Sequence, residues 1–279
     1  MVIYLRPSRG WAALNLLELW HFRELILFLT WRDILVRFKQ TVFGASWAVI
    51  QPLFTMVVFT FFFGRLAKVP TDGIPYPIFT FTALLPWGLF SKAMNDAGRS
   101  LVNNRNMITK IYFPRLTIPV ASVLAGLVDF GIAFLVYIVL ILYYNFAPNS
   151  TYTFTATPAL ITLPLWIILT LVATLGVSLW VSAANVIYRD VGHILPFLTS
   201  TWFFLTPIVY SSSEVSTQWQ VIYALNPLTG VVEGFRWALL GIHSLPWQLV
   251  AVSACVGVLL LITGLVYFRN MERTFADEI

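Results

Sequence analysis

The sequence predicts an all-α integral membrane protein. It should have about six transmembrane helices, an N-terminal amphipathic helix in the interface, and a re-entrant helical hairpin before the last span. Three observations carry this. Of 279 residues, 59% are hydrophobic and only 10% charged, and the mean hydropathy is +0.82; soluble domains are nearer roughly 45–50% apolar and 25% charged. The apolar residues form runs of about 20, the length that crosses a hydrocarbon core of roughly 30 Å as helix. The basic residues fall between the runs, which is the pattern of topology rather than of a nucleic-acid footprint. The polar stretches are too short to fold alone, so residues 1–279 read as one membrane domain.

The first residues are basic, but Glu18, His21, Arg23 and Glu24 follow. No clean apolar signal core results, and the start is expected to be kept inside. Residues 16–40 read as a helix that does not span. Trp31, Ile34, Leu35 and Phe38 recur at helical spacing as one apolar stripe, with Asp33, Arg37 and Gln40 on another face and Arg32 and Lys39 beside them. Such a helix lies in the interface plane, either as an anchor alone or also as a docking face.

The first span is 44–64, with Gln51-Pro52 expected to kink it. The second, 77–99, is apolar to Ser91 and then polar; Lys92 and Asp96, four apart, can pair on one face. It should run past the lipid or line a wet interior. A polar, basic stretch over 99–115 follows. The third span is 116–143, the fourth 158–187, and the fifth 191–210 after the tight Tyr188-Arg189-Asp190 turn. The sixth is 247–268. Residues 211–246 are amphipathic and too short per segment to span. Ser213-Glu214 can start one helix there, and Asn226-Pro227 a second, with Asn as N-cap, Pro at the first position and Gly241 as the end. Two half-helices make either a re-entrant hairpin or a surface loop with two interfacial helices.

Six spans put both termini on one side. With 99–115 and the Arg189 turn placed there too, that side holds thirteen of the seventeen Lys and Arg residues; Arg65, Lys68, Lys92 and Arg236 remain elsewhere. The asymmetry makes both termini cytoplasmic. No internal repeat is visible, which weakens an inverted-repeat transporter.

Little in the sequence carries bond chemistry. It has no G-x-x-x-x-G-K-[ST] phosphate loop, no H-E-x-x-H and no Cys/His cluster. His21, His193 and His243 are scattered, and the lone Cys255 reads as packing. No catalytic residue, resident cofactor or metal is expected. Asp129, flanked by Gly126 and Gly131, is the one acid deep in a span. It either bonds another helix or takes part in proton coupling. Aromatics make up 16% of the chain. Trp11, Trp20 and Trp247 suit interface belts. Phe59, Phe61, Phe62, Phe63, Trp202, Phe203 and Phe204 lie deeper, where they serve as packing or as a wall on which sugar rings stack. An ion route would call for rings of charge, and none is visible.

Phe43-Gly44-Ala45-Ser46-Trp47 with Gln51-Pro52-Leu53 resembles the first-span signature of ABC-2 type polysaccharide export permeases. Leu84-Leu85-Pro86-Trp87-Gly88-Leu89-Phe90 resembles the second. Asn103 with Asn106-Met107-Ile108-Thr109-Lys110-Ile111-Tyr112-Phe113-Pro114-Arg115 is similar to the family's cytoplasmic loop. Tyr188-Arg189-Asp190-Val191 and Asn226-Pro227-Leu228 resemble its fourth-to-fifth turn and re-entrant region. The likeness runs from about Glu24 to the end; Phe43 and Met107 replace an expected aliphatic residue.

The resemblance implies a homodimeric permease with two copies of a separate ATP-binding subunit, which would hold ATP and Mg²⁺. It implies export of lipid-linked polysaccharide, such as O-antigen or teichoic acid, across the bacterial inner membrane. Candidate channel-lining residues are then Phe59, Phe62, Phe63, Trp87, Trp202, Phe203, Phe204 and Tyr210. Candidates for docking the ATPase are Trp31, Arg32, Arg37, Asn103, Arg105, Lys110, Tyr112, Arg115, Arg189 and Asp190. Asn226, Pro227, Glu233 and Arg236 become candidates for an external gate. Two other readings are a membrane-bound enzyme acting on lipid-linked sugars, which lacks the clustered acids or histidines it would need, and a proton-coupled carrier using Asp129.

Overall fold

A computed structural model describes residues 16–39, 46–71, 73–147, 152–241, 245–272 and 274–275. Phe43, Gly44 and Ala45 of the first-span signature lie outside the described residues, as do Arg6, Arg9, Trp11, Gln40, His243 and Arg273. The described residues are helical with turns and no strand.

In chain order the helices are α1 (Leu16–His21), α2 (Arg23–Lys39), α3 (Ser46–Leu66), α4 (Tyr76–Asn103), α5 (Arg105–Ile108), α6 (Thr117–Phe146), α7 (Pro158–Ile187), α8 (Val191–Phe204), α9 (Thr217–Ala224), α10 (Pro227–Leu240) and α11 (Trp247–Met271). Four of them, α3, α6, α7 and α11, are long and apolar enough to cross a membrane. The protein is therefore an all-α, multi-pass membrane protein.

The other two expected spans take different forms. α4 has 28 residues, but its lower half carries Lys92, Asn95, Asp96 and Arg99. It is the central post of the fold, buried along most of its length, so its polar groups meet protein rather than lipid. The expected fifth span, 191–210, is not one helix. α8 stops at Phe204 after 14 residues, about 21 Å of rise and too short for the hydrocarbon core. Residues 205–211 continue as turns. Pro52 lies within α3, and the last turns of that helix, Thr60–Leu66, wind as π-helix.

Small residues set the tightest packing, as expected where lipid offers no hydrophobic drive between helices. α7 meets α11 backbone to backbone: a Cβ on Gly176 would lie 2.7 Å from the Leu261 amide nitrogen, and one on Gly264 2.6 Å from the Gly176 carbonyl.

α2 is amphipathic in the reverse sense to a helix resting on a soluble core. Its polar stripe faces the protein. Thr30 Oγ1 lies 3.4 Å from the Ala121 carbonyl, Ser122 Oγ donates to Asp33 Oδ2 at 3.3 Å, and Arg37 reaches Asp129. The contacts climb α2 and α6 together, so α2 runs alongside the first half of α6 rather than only lying across its end. Leu27, Phe28, Trp31 and Leu35 point outward, Trp31 at 60% exposure, as does Trp20 on α1. Only lipid or another subunit suits that face.

Residues 211–241 form a hairpin. The 3-10 turn Ser212–Glu214 precedes α9, which begins at Thr217, three residues after the expected Ser213-Glu214 start. Asn226 caps α10 by accepting from the Leu228 amide, Pro227 is its first residue, and Gly241 ends it at φ +67°. Ser253 Oγ, on α11, lies 2.9 Å from the Ala224 carbonyl and 3.1 Å from the Asn226 carbonyl, and it accepts from the Gly230 amide. The apex of the hairpin therefore sits beside the seventh residue of α11, about 9 Å below that helix's start. It dips into the layer of the spanning helices.

Candidate functional site

A cleft of about 650 Å³ opens between α3, α4, α6 and α8. Its composition changes along its length. Toward the α4–α5 end it is lined by Gln51, Lys92, Asn95, Asp129, Thr199 and Ser200; toward the other end by Phe59, Trp87, Phe203 and Phe204. The order follows from helix direction. α3, α6 and α8 rise while α4 descends, so the polar residues early in α3 and α8 meet those late in α4. Asn95 Nδ2 donates to Thr199 Oγ1 at 3.1 Å and ties the α4 and α8 walls at that level.

The aromatic end is one connected wall. Phe59 packs edge-on against Phe63 and, tilted, against Phe203 at 5.5 Å. Phe203 also meets Trp87 at 5.4 Å, Trp87 meets Phe90, and Phe90 meets Trp202 at 5.1 Å. These are the offset and edge-to-face geometries aromatic pairs prefer. Of the expected channel-lining residues, Phe59, Trp87, Phe203 and Phe204 line the cleft. Trp202 and Phe63 stand behind it as support. Phe62 projects from α3 on an exposed face, its ring packed on Phe61. Tyr210 lies beyond the wall, bonded to Tyr223 through their hydroxyls at 2.8 Å.

At the polar end four charges from three helices meet. Asp129 takes Arg37 on Oδ2 and Lys92 on Oδ1, the latter at 2.9 Å; Arg37 also reaches Asp96 at 2.6 Å. The expected Lys92–Asp96 pairing within α4 gives way to these pairings between helices. The net charge of the four is zero, which is how a carboxylate this deep is tolerated. Arg37, a docking candidate by sequence, is turned inward. The signal was Asp129: an acid in a span needs a cation, and Lys92 and Arg37 are the polar-face cations available.

The remaining docking candidates divide. Asn103, Arg105, Lys110, Tyr112, Arg189 and Asp190 are exposed at one end of the molecule, Tyr112 at 77%. Arg99 holds the α7–α8 turn to that end by donating to the Gly192 carbonyl at 3.0 Å. Arg115 is engaged instead with the end of α11. Its guanidinium donates to the Glu272 carbonyl, its amide to Glu272 Oε1, and its face covers Phe275. Arg32 pairs with neighbouring Asp33 at 2.8 Å.

The gate candidates lie in the core, not at a mouth. Pro227, Glu233 and Arg236 are buried, and Arg236 is 0% exposed. α10 is wedged in place: a Cβ on Gly234 would run into the Trp166 ring, and one on Gly230 would lie 2.8 Å from Ser253 Cβ. Arg236 does what a missing helical turn would have done. Its Nη2 donates to the Ile208 carbonyl at 3.1 Å and its Nη1 to the Tyr210 carbonyl at 3.2 Å and to Glu233 Oε1 at 3.1 Å. Tyr76 of α4 supplies the carbonyl between, donating to Val209 O at 2.9 Å. Irregular backbone at membrane depth survives only where protein satisfies it. Sequence reading marked Arg236 but missed Tyr76 and Ser253, whose single hydroxyls leave no pattern.

A family model described as ABC-2 type transporter matches residues 24–240. The chain is 29% identical over 267 residues to the O-antigen export system permease protein RfbA of Myxococcus xanthus, covering 94% of this chain and 98% of that protein. It is 25% identical over 243 residues to the polysialic acid transport protein KpsM of Escherichia coli, covering 87% and 91%. It is 23% identical over 211 residues to the inner membrane transport permease YadH of Escherichia coli (strain K12), covering 71% and 77%.

Proposed function

Because the chain belongs to the ABC-2 type transporter family, we propose that it is the membrane-spanning permease of an exporter of lipid-linked polysaccharide of the O-antigen kind. The membrane is the bacterial inner membrane, with both termini cytoplasmic. The observation that carries the reading is the cleft, with its polar groups at one end and its ring faces at the other. Hydroxyl and amide groups suit sugar hydroxyls. Aromatic faces suit the apolar C–H faces of pyranose rings and hold no single position tightly, which allows a polymer to slide.

The chain has no phosphate loop, so the energy comes from a separate ATP-binding subunit that carries the nucleotide and Mg²⁺. Two such subunits would bind a homodimer of this chain. Asn103, Arg105, Lys110, Tyr112, Arg189 and Asp190, exposed at one end, form the surface for them. The outer faces of α3 and α8 flank the cleft and leave Phe54, Val57, Ile194 and Phe197 exposed; a second copy would close the cleft there into a channel. Asp129, with a cation on each carboxylate oxygen, is tied as a structural ion pair rather than free to carry protons.

The test is reconstitution. The permease purified with its ATPase should move a lipid-linked glycan across a vesicle membrane only when ATP is hydrolysed. Transport of the polymer by the permease without any ATPase would overturn the reading.

A further inference from the structure

We infer that the polar half of the cleft is a binding station for one uncharged hexose residue, with Lys92 as its specificity-determining side chain. The inference rests on the export reading and narrows the cargo to glycans whose repeats carry no carboxylate or phosphate.

Three helical walls repeat one order. On α3, Gln51, Thr55 and Phe59 follow one another at steps of four residues. On α4, Trp87 is followed at the same step by Ser91 and Asn95, and on α8 Thr199 precedes Phe203 by four. Residues four apart share a helix face. Each wall therefore offers the cleft a polar group and, one or two turns along, an aromatic ring. A hexose uses both at once, since its hydroxyls surround an apolar C–H face. Room for it exists on α4: Gly88 lines the cleft, and a Cβ built there meets nothing within 4 Å.

The donor and the acceptor of the station are set in place by bonds behind them. Asn95 Nδ2 donates to the Ser91 carbonyl at 2.7 Å and to Thr199 Oγ1 at 3.1 Å, which uses both amide hydrogens and leaves Oδ1 to accept. Lys92, one turn before it on α4, pairs with Asp129 at 2.9 Å; its side chain is 39% exposed and that of Asp129 11%. The carboxylate thus sits behind, and the ammonium stands toward the cleft with further hydrogens to donate. A sugar hydroxyl placed here accepts from Lys92 and donates to Asn95 Oδ1, and the charge of the site does not change. An anionic sugar fares differently. Lys92 and Arg37 are already balanced by Asp129 and Asp96. An added carboxylate or phosphate leaves an uncompensated negative charge among the helices, which is costly. A second copy across the cleft adds another balanced set and does not alter this.

The test is calorimetric binding to the purified permease–ATPase complex without nucleotide. The probes are mannose and galactose oligomers, each beside its C6-oxidised uronate form. A neutral oligomer should bind about tenfold more tightly than its uronate form. Lys92→Gln should weaken neutral binding about tenfold, because a charge-assisted bond is lost, and Lys92→Arg should recover most of it. Gly88→Leu enters open space, so it spares the fold while filling the station, and should weaken binding as well. Equal affinity for neutral and uronate forms, no binding of either neutral oligomer, or full affinity in Lys92→Gln or in Gly88→Leu would overturn the inference. ATP-driven export of lipid-linked glycan is scored separately in vesicles. A complex that binds neutral sugar and exports no glycan refutes the export reading alone; one that exports a uronate polymer as fast as its neutral counterpart refutes the station alone.

Discussion

The indole Nε1 of Trp202 donates to Asn226 Oδ1 at 3.0 Å, and the same oxygen accepts from the Leu228 amide. One side chain thus caps the re-entrant helix and orients the support of the aromatic wall. The Asn226 Nδ2 holds the turn after α8 at Leu205 and Thr206. Both donors and both acceptor positions of the amide are used.

Asn226 substitutions should separate these duties. Asn226→Asp keeps the accepting oxygen, so the cap and the Trp202 bond survive while the two bonds to Leu205 and Thr206 are lost. Asn226→Ala loses everything, about 1 kcal/mol for the cap alone plus the unpaired polar groups it leaves. Thermal unfolding of the purified complex should place Asp below wild type and Ala below Asp. Equal losses in the two variants would show that the oxygen has no special part.

The wall should matter for flux more than for folding. Phe203→Ala removes the ring that joins Phe59 to Trp87 and that also lines the cleft. Phe62→Ala removes a ring of similar size from an exposed face. Export rate divided by protein abundance should fall severalfold for Phe203→Ala and stay near wild type for Phe62→Ala. If both ratios fall alike, the cleft is not the route.

Much of this was legible in the sequence, and the failures share a cause. Asn226-Pro227 and Gly241 act through neighbours in sequence, so the limits of α10 could be read directly. Spans α3, α6, α7 and α11 announce themselves by composition. Hydropathy also made 191–210 look like one helix, because its apolar residues continue past Phe204. Pro207 has no N–H with which to continue the helix, and bonds from Arg236 and Tyr76, 26 and 133 residues away, hold the irregular backbone that follows. Arg37 looked like a surface charge for a similar reason. Its two carboxylate partners lie 59 and 92 residues on, and no local pattern shows that α2 lies against α6.

The four-charge cluster should behave as a unit. Asp129→Asn leaves Arg37 and Lys92 facing each other without their shared carboxylate, while Asp96→Asn removes only one partner of Arg37 at a more exposed site. Breaking a buried pair from one side costs about 3 kcal/mol or more, so Asp129→Asn should lower the melting temperature more than Asp96→Asn. Adding Arg37→Gln to Asp129→Asn should recover part of the loss, because the orphaned cation goes with it. Double-mutant unfolding curves decide this. Strictly additive losses would mean the groups do not interact. Any export retained by Asp129→Asn should show no dependence on a proton gradient.

Backbone contact between α7 and α11 makes a sharper stability test. Gly176→Val places side-chain atoms against the Leu260–Leu261 backbone, which cannot move aside. Gly131→Ala, on α6, meets nothing within 4 Å. The first should cost several kcal/mol or abolish folding, since overpacking even a flexible core costs about 1–3 kcal/mol. The second should be neutral or slightly stabilising, as alanine favours helix over glycine. Detergent-solubilised yield and unfolding temperature report both.

Two basic residues of the same loop should respond oppositely to charge reversal. Lys110 is exposed, whereas Arg115 binds Glu272 by amide and guanidinium. Lys110→Glu should leave permease yield intact and reduce the ATPase recovered with it, because only an interface is changed. Arg115→Glu loses the donor to the Glu272 carbonyl and brings a carboxylate toward that oxygen, so it should lower permease yield itself. Co-purification normalised to permease separates the two effects. If Lys110→Glu leaves the ATPase ratio unchanged, the docking surface does not include this residue, and the exposed Arg189–Asp190 turn becomes the next place to reverse a charge.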